Sequence, residues 1–289
     1  MNQVYKLKEL QAQLLQQLSV QAEPSEAATM ATWLLEHYLK ASRTDVLLNN
    51  NITVPKSALR QLARAVTRLN QHEPIQYVLE ETFFYGRKLK VSPDVLIPRR
   101  ETEELVAWVK EENLAPGMRV LDIGTGSGCI AVTLSLEMSH PRVHALDISS
   151  AAIRVATENA ALHQTKVTFQ VADVLREELT IPSPFDILVS NPPYVRRSEA
   201  ANMSARVLSY EPDEALFVDN QQPLLFYERM IDGCQRDGWL TRGGTVYWEI
   251  NEELGDKLVH LLRERCFKEV CLRRDMQGKP RFITGKLAE

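Results

Sequence analysis

Val120-Leu121-Asp122-Ile123-Gly124-Thr125-Gly126-Ser127-Gly128 is the stretch on which the reading of this 289-residue chain turns. An apolar run ends on an acidic residue, three glycines follow at alternate positions, and helical periodicity then runs over 128–136. Glycine lets the backbone turn sharply and approach a ligand that a Cβ would repel. Outward from this stretch, strand and helix signals alternate: strand over 119–123, helix over 128–136, strand over 142–146, helix over 151–162, then strands over 167–171 and 185–189. Further strands fall at 244–250 and around 270–272, with a helix near 252–265 between them. Such alternation predicts parallel strands with right-handed crossovers, hence an open, Rossmann-like α/β sheet that binds ligands at the carboxyl ends of its strands.

The G-x-G-x-G spacing differs from the GxGxxG dinucleotide fingerprint, which keeps a helix N-terminus clear for a pyrophosphate. Asp122 just ahead of the loop is ill-placed beside phosphate and compatible with a cationic methionine end. The loop Gly124, Thr125, Gly126, Ser127 and Gly128 therefore favours S-adenosylmethionine, with S-adenosylhomocysteine as product, over NAD. Asp147 ends the next strand, where one carboxylate can accept both hydroxyls of a ribose diol. Asp173 follows the strand over 167–171 and is placed for the adenine, with Val174 packing on the ring.

A second motif, Ser190-Asn191-Pro192-Pro193-Tyr194, follows the apolar strand over 185–189. Two successive prolines fix φ and remove two backbone donors, which holds the step open. The Asn191 side-chain oxygen and the Pro192 carbonyl then both accept from one NH2 group, while Tyr194 offers a flat face. Asn191, Pro192, Pro193 and Tyr194 are thus the candidate substrate-binding residues, with Asn191, Pro192 and Tyr194 the catalytic ones. An amide nitrogen is a poor nucleophile because its lone pair is delocalised. Orienting it contributes up to roughly 7 to 11 kcal/mol of barrier reduction in well-fitted sites.

The rest of the chain narrows the options. A formal charge of −4, from 34 Lys+Arg against 38 Asp+Glu, lacks the basic excess of proteins that hold nucleic acid through its phosphates. The four cysteines form no CxxC pair and the histidines no HExxH, so neither a metal site nor a disulfide framework is expected. No continuous apolar segment reads as a signal peptide or membrane span, so a cytoplasmic protein is expected. Ahead of the sheet, Val4, Leu7, Leu10, Leu14 and Leu18 share one helical face, a second helix follows Pro24 with Ser25 as its cap, and a third begins near Pro55. Aromatic alternation over 82–91 around Gly86 predicts a β-hairpin. The expected organisation is a helical domain over 1–78, a hairpin linker over 79–97 and a methyltransferase domain over 98–289.

With these motifs in hand, the chain resembles the bacterial release factor glutamine methyltransferases from about Glu73 onward. The matching segments are Glu73-Pro74-Ile75-Gln76-Tyr77, Phe84-Tyr85-Gly86, Val95 to Arg99 with Glu101-Thr102-Glu103, Asp122 to Ile130, Ser190 to Tyr194, and Glu211-Pro212 with Ala215-Leu216-Phe217. The resemblance implies methyl transfer to the side-chain amide nitrogen (N5) of the glutamine in the Gly-Gly-Gln loop of peptide chain release factors. It also implies that Gly124 to Gly128, Asp147, the Val174 position and Asn191 meet the cofactor, that Asn191 to Tyr194 hold the glutamine, and that the helical domain and hairpin dock the release factor. Four features depart from the family's usual pattern: Arg100 replaces a proline, Glu80 a glycine and Val174 an aromatic residue, and Val218 to Pro223 lacks the usual glycine-rich continuation. Competing readings are a glutamine methyltransferase for a ribosomal protein, an N6-adenine DNA methyltransferase, whose acceptor is the same planar NH2, and an inactive cofactor-binding interaction module.

Overall fold

A computed structural model describes residues 3–18, 23–176, 179–182 and 184–289, which form two compact units. The first comprises the chain up to Glu80 together with Ser204–Tyr210. Its helices Leu7–Leu18, Pro24–Leu39 and Lys56–Asn70 each turn an apolar stripe inward, so that Leu10, Leu14, Leu34, Leu35, Leu62 and Leu69 share one core. Each buried leucine of this kind contributes about 1.5 to 3 kcal/mol. Two short helices, Arg43–Leu48 and Ile75–Leu79, also belong to this unit.

Local details differ from the sequence reading. Val4 is not on the first helix: it is exposed in a strand, Gln3–Lys6, paired antiparallel with Asn51–Val54. Ser25 does not cap the second helix, because Pro24 occupies the first turn and Glu23 stands at the cap without a side-chain bond. Proline tolerates that place because its missing N–H would have had no helical partner. Ile75–Leu79 ends on Glu80 at φ 58, in the left-handed region, and this accounts for the glycine usual there in the family. Helix Ala205–Tyr210 belongs to this unit although it comes late in the chain: Arg206 pairs with Glu26, and the Tyr210 hydroxyl donates to the Gln71 carbonyl at 2.7 Å.

The second unit is built on a seven-stranded sheet. Its strands are β1 (Arg119–Ile123), β2 (Arg142–Asp147), β3 (Val167–Val171), β4 (Phe185–Ser190), β5 (Leu240–Glu249), β6 (Phe267–Arg274) and β7 (Pro280–Leu287), in the spatial order β6-β7-β5-β4-β1-β2-β3. All neighbours from β5 to β3 run parallel, whereas β7 runs antiparallel to both β5 and β6. The sequence reading lacked β7. Its alternation is interrupted by Gly285 and Lys286, and a strand inserted between β5 and β6 is invisible to local pattern. The inner strands are mostly apolar because helices cover both faces. Those that matter for the site are α1 (Arg100–Glu112), α2 (Cys129–Glu137) and α3 (Ser150–Leu162).

The hairpin Glu81–Phe84 and Arg87–Lys90 turns at Tyr85 and Gly86, both at positive φ, as a two-residue turn requires. Phe84 and Leu89 enter the core with Trp108 and Ile130, while Phe83 is left in solvent. Fully buried Asn159 of α3 anchors the hairpin. Its side chain accepts from the Lys90 N–H at 2.7 Å and donates to the carbonyls of Lys90 and Ser127, both at 2.9 Å. One amide thus joins the hairpin to the glycine loop.

Candidate active site

The order of the sheet reverses between β1 and β4, and chain segments leaving such neighbours diverge to open a crevice. Ile123 pairs with Ser190 in register, so Gly124 and Asn191 leave the sheet side by side. The Ser190 hydroxyl donates to the Ile123 carbonyl at 2.6 Å and clamps the two exits together.

In the first exit, Gly124, Gly126 and Gly128 have φ of 73°, 55° and 79°, a sequence of left-handed residues that accounts for glycine at every second position. Gly128 has a second constraint, since a Cβ there would stand 3.0 Å from the Ala156 Cβ of α3. The N–H groups of Gly124 and Thr125 both donate to the Leu146 carbonyl at 2.9 Å, and Gly126 N–H donates to Asp147 Oδ2 at 2.8 Å. Ser149 N–H binds the other Asp147 oxygen at 2.9 Å. Burial pushes the Asp147 carboxyl up, and these backbone donors pull it back.

Asp122 lies elsewhere than the sequence reading expects. It is fully buried, is absent from the cavity wall, and accepts the Thr125 hydroxyl at 2.6 Å. Its carboxylate therefore holds the loop from behind through Thr125. Burial raises its pKa to about 7, against the Thr125 hydrogen bond and with help from the nearby Asp147 charge.

The second exit carries the proline step. Asn191, Pro192 and Pro193 line the same cavity of about 600 Å³ as Gly124, Thr125, Gly126 and Ser127. Asn191 Nδ2 donates to Thr102 Oγ1 at 3.2 Å. Tyr194 is set back from that wall, and its hydroxyl donates to the buried carboxylate of Glu249 at 3.0 Å. Asp147, Asp173 and Val174 line the cavity together with Ile148, Leu175 and Phe226. Asp173 also accepts the Leu175 N–H at 3.0 Å, which turns the chain beneath Val174.

The charge of the wall bears on what fits. Among the described residues, Asp94, Asp147, Asp173, Asp213 and Glu214 line it against Arg99 and Arg197. Both arginines are paired, Arg99 with buried Glu211 at 2.7 Å and Arg197 with Asp213 at 3.3 Å. A wall of this sign suits a sulfonium cation and disfavours a pyrophosphate. Thr102 lies in the Glu101-Thr102-Glu103 segment, but local sequence gives no role to it or to Glu249, Arg197 and Glu214, because their partners come from remote segments.

Fold and site together define an S-adenosylmethionine-dependent methyltransferase. Residues 101–217 match the methyltransferase small domain family, and residues 9–79 match the PrmC N-terminal domain. The chain is 38% identical to the release factor glutamine methyltransferase of Flavobacterium psychrophilum, over 96% of this chain and 98% of that one. It is 37% identical to that of Bacteroides thetaiotaomicron, over 91% and 93%. Among solved structures it is similar to the ribosomal protein L11 methylase of Lactobacillus delbrueckii subsp. bulgaricus, at 22% identity and a TM-score of 0.46, over 68% of this chain and 83% of that one. The chain belongs to the release factor glutamine methyltransferase family. Among the described residues no helix is long and apolar enough to cross a membrane.

Proposed function

We propose that this chain methylates the N5 side-chain amide of the glutamine in the Gly-Gly-Gln loop of peptide chain release factors, in the cytoplasm. The observation that carries the reading is the register of Ile123 with Ser190, from which the glycine loop and the amide-gripping step open into one cavity. Bound S-adenosylmethionine supplies an electrophilic methyl group on a sulfonium. Asn191 Oδ1 and the Pro192 carbonyl accept the two N–H groups of the glutamine amide, turn its lone pair toward the methyl carbon, and offset the positive charge that develops on nitrogen. No strong base is required, because the methylated nitrogen grows acidic as the bond forms. Tyr194 stands behind the step and braces it, its hydroxyl held by Glu249.

Gly124 to Gly128 cradle the methionine end, Asp147 takes the ribose hydroxyls, and Asp173 with Val174 borders the adenine. The helical segment over 1–78 and the hairpin within 79–97 present the docking surface for the release factor, with the methyltransferase domain over 98–289. An adenine N6 amine offers the same NH2 to the same four residues. The formal charge of −4 and the acidic cavity wall favour protein over DNA.

Labelled S-adenosylmethionine supplied with a release factor, with its Gln→Ala loop variant and with duplex DNA tests the substrate. Label is expected on the intact factor alone. Label confined to DNA, or equal on the Gln→Ala factor, overturns the reading. Asn191→Ala is expected to fold and to lose on the order of a hundredfold in kcat, as when an orienting transition-state acceptor is removed.

A further inference from the structure

Behind the proline step lies a buried polar relay contributed by three separate segments. Thr102, in the first turn of α1, is 2% exposed, and Glu249, the last residue of β5, is 1% exposed. The Thr102 hydroxyl donates to Glu249 Oε2 at 2.7 Å and accepts from Asn191 Nδ2 at 3.2 Å. The other carboxylate oxygen takes the Tyr194 hydroxyl at 3.0 Å, and the Tyr227 hydroxyl donates to the Glu249 main-chain carbonyl at 2.9 Å. The sheet register delivers these partners, since Ser190 pairs with Trp248 and the next residues are Asn191 and Glu249.

The direction of the relay follows from donor inventory. An ionised carboxylate only accepts, and a hydroxyl has a single proton to give. That proton goes to Glu249, so Thr102 turns a lone pair toward Asn191. Only the NH2 end of the Asn191 amide can answer it, and the carbonyl end is left for the substrate. A neutral Glu249 would have its own proton to donate, and the relay would reverse, with Thr102 donating to Asn191 and the amide NH2 facing the substrate. Burial raises the Glu249 carboxyl above its ordinary range, with Glu101 adding to the rise, while the Thr102 and Tyr194 hydroxyls and the field of Arg281, itself paired with Asp275 at 3.2 Å, oppose neutralisation.

We propose that Thr102 and Glu249 are positioning residues that set which end of the Asn191 amide faces the substrate, presenting Oδ1 and not Nδ2 to the NH2 group to be methylated. The inference rests on the reading of Asn191 as an acceptor. Through the Tyr194 hydroxyl the same carboxylate also holds the far end of the motif, so one buried group fixes both ends of the step. A donor facing the substrate NH2 would repel it, so loss of the relay is felt in turnover, not in cofactor binding.

The test compares wild type, Thr102→Val, Thr102→Ser, Asn191→Ala and the Thr102→Val/Asn191→Ala double variant. It uses steady-state kinetics on a release factor and calorimetric binding of S-adenosylhomocysteine. Thr102→Val keeps shape and loses the hydroxyl. It is expected to lower kcat by roughly tenfold or more, the scale of one lost orienting hydrogen bond, with cofactor Kd nearly unchanged. Thr102→Ser is expected to restore most of kcat, and the double variant to be no slower than Asn191→Ala. Wild-type kcat in Thr102→Val beside an inactive Asn191→Ala overturns the relay and leaves the acceptor role standing. Normal turnover in Asn191→Ala overturns the acceptor role itself. Parallel loss of kcat and cofactor affinity in Thr102→Val also overturns the proposal, because it marks a collapsed pocket. Should Thr102→Val not fold, the side-chain amide protons of Asn191 are read by NMR in the wild-type chain, assigned by their absence in Asn191→Asp. Slow exchange with solvent is expected, and exchange as fast as an exposed amide overturns the relay.

Discussion

Replacing Asp122 by Asn should change the pH dependence of stability in a way that the buried carboxylate dictates. In the folded chain Asp122 has no solvent access, and desolvation lifts its pKa from the ordinary 3.8 to about 7. Between those values the folded state holds a proton that the unfolded state releases, so stability falls as pH rises and the full penalty is present above pH 7. About three pH units at roughly 1.4 kcal/mol each give about 4 kcal/mol. Asparagine keeps an oxygen for the Thr125 hydroxyl, and near pH 4 it replaces a carboxyl that is itself neutral, so the substitution costs about 1 kcal/mol at most. The variant should therefore match wild type within about 1 kcal/mol near pH 4, and exceed it by about 3 kcal/mol at pH 8. Urea unfolding in buffers from pH 4 to 8 measures both proteins by tryptophan fluorescence. Trp108, Trp239 and Trp248 are buried in the sheet unit, and a Trp33→Phe background removes the signal of the other unit. Stability curves for the two proteins that run parallel across this range would refute the reasoning.

Three further outcomes are expected. Glu80→Gly relieves a left-handed side chain at a helix end and should stabilise the chain by about 0.5 to 1 kcal/mol, read as a rise in the urea midpoint. Arg100→Pro places proline at the first position of α1, after Arg99 in extended backbone at φ −98 and ψ 153. Thermal melts should show a gain of about 0.4 to 1 kcal/mol. Gly128→Ala forces a side chain into φ 79 and against Ala156, at a cost of about 1 to 2 kcal/mol from backbone conformation alone. Calorimetry should find its S-adenosylhomocysteine affinity reduced, and an unchanged Kd would show that the loop tolerates a Cβ.

Much of the site was legible locally because its chemistry depends on residues that are neighbours in sequence. The three glycines declare their left-handed backbone, and Asn191-Pro192-Pro193 declares an open step, since each constraint acts within one or two peptide units. The strands over 119–123, 142–146, 167–171 and 185–189 were equally legible, because short runs rich in apolar and β-branched residues alternate there with helical periodicity. The full burial of Asp122 was not legible, because burial is a property of the packed sheet, and the same sequence fits a carboxylate in front of the loop or behind it.

What the sequence by itself determined is therefore the α/β alternation, the cofactor loop and the amide-gripping step. Each follows from rules of backbone geometry that act over a few residues. Tertiary structure alone decided the antiparallel insertion of β7, the tie from Asn159 to both hairpin and loop, and the Glu249–Thr102 pair behind Asn191. Those partners lie 147 residues apart in the last case, and no local signal records a hydrogen bond whose two halves meet only when the sheet has assembled.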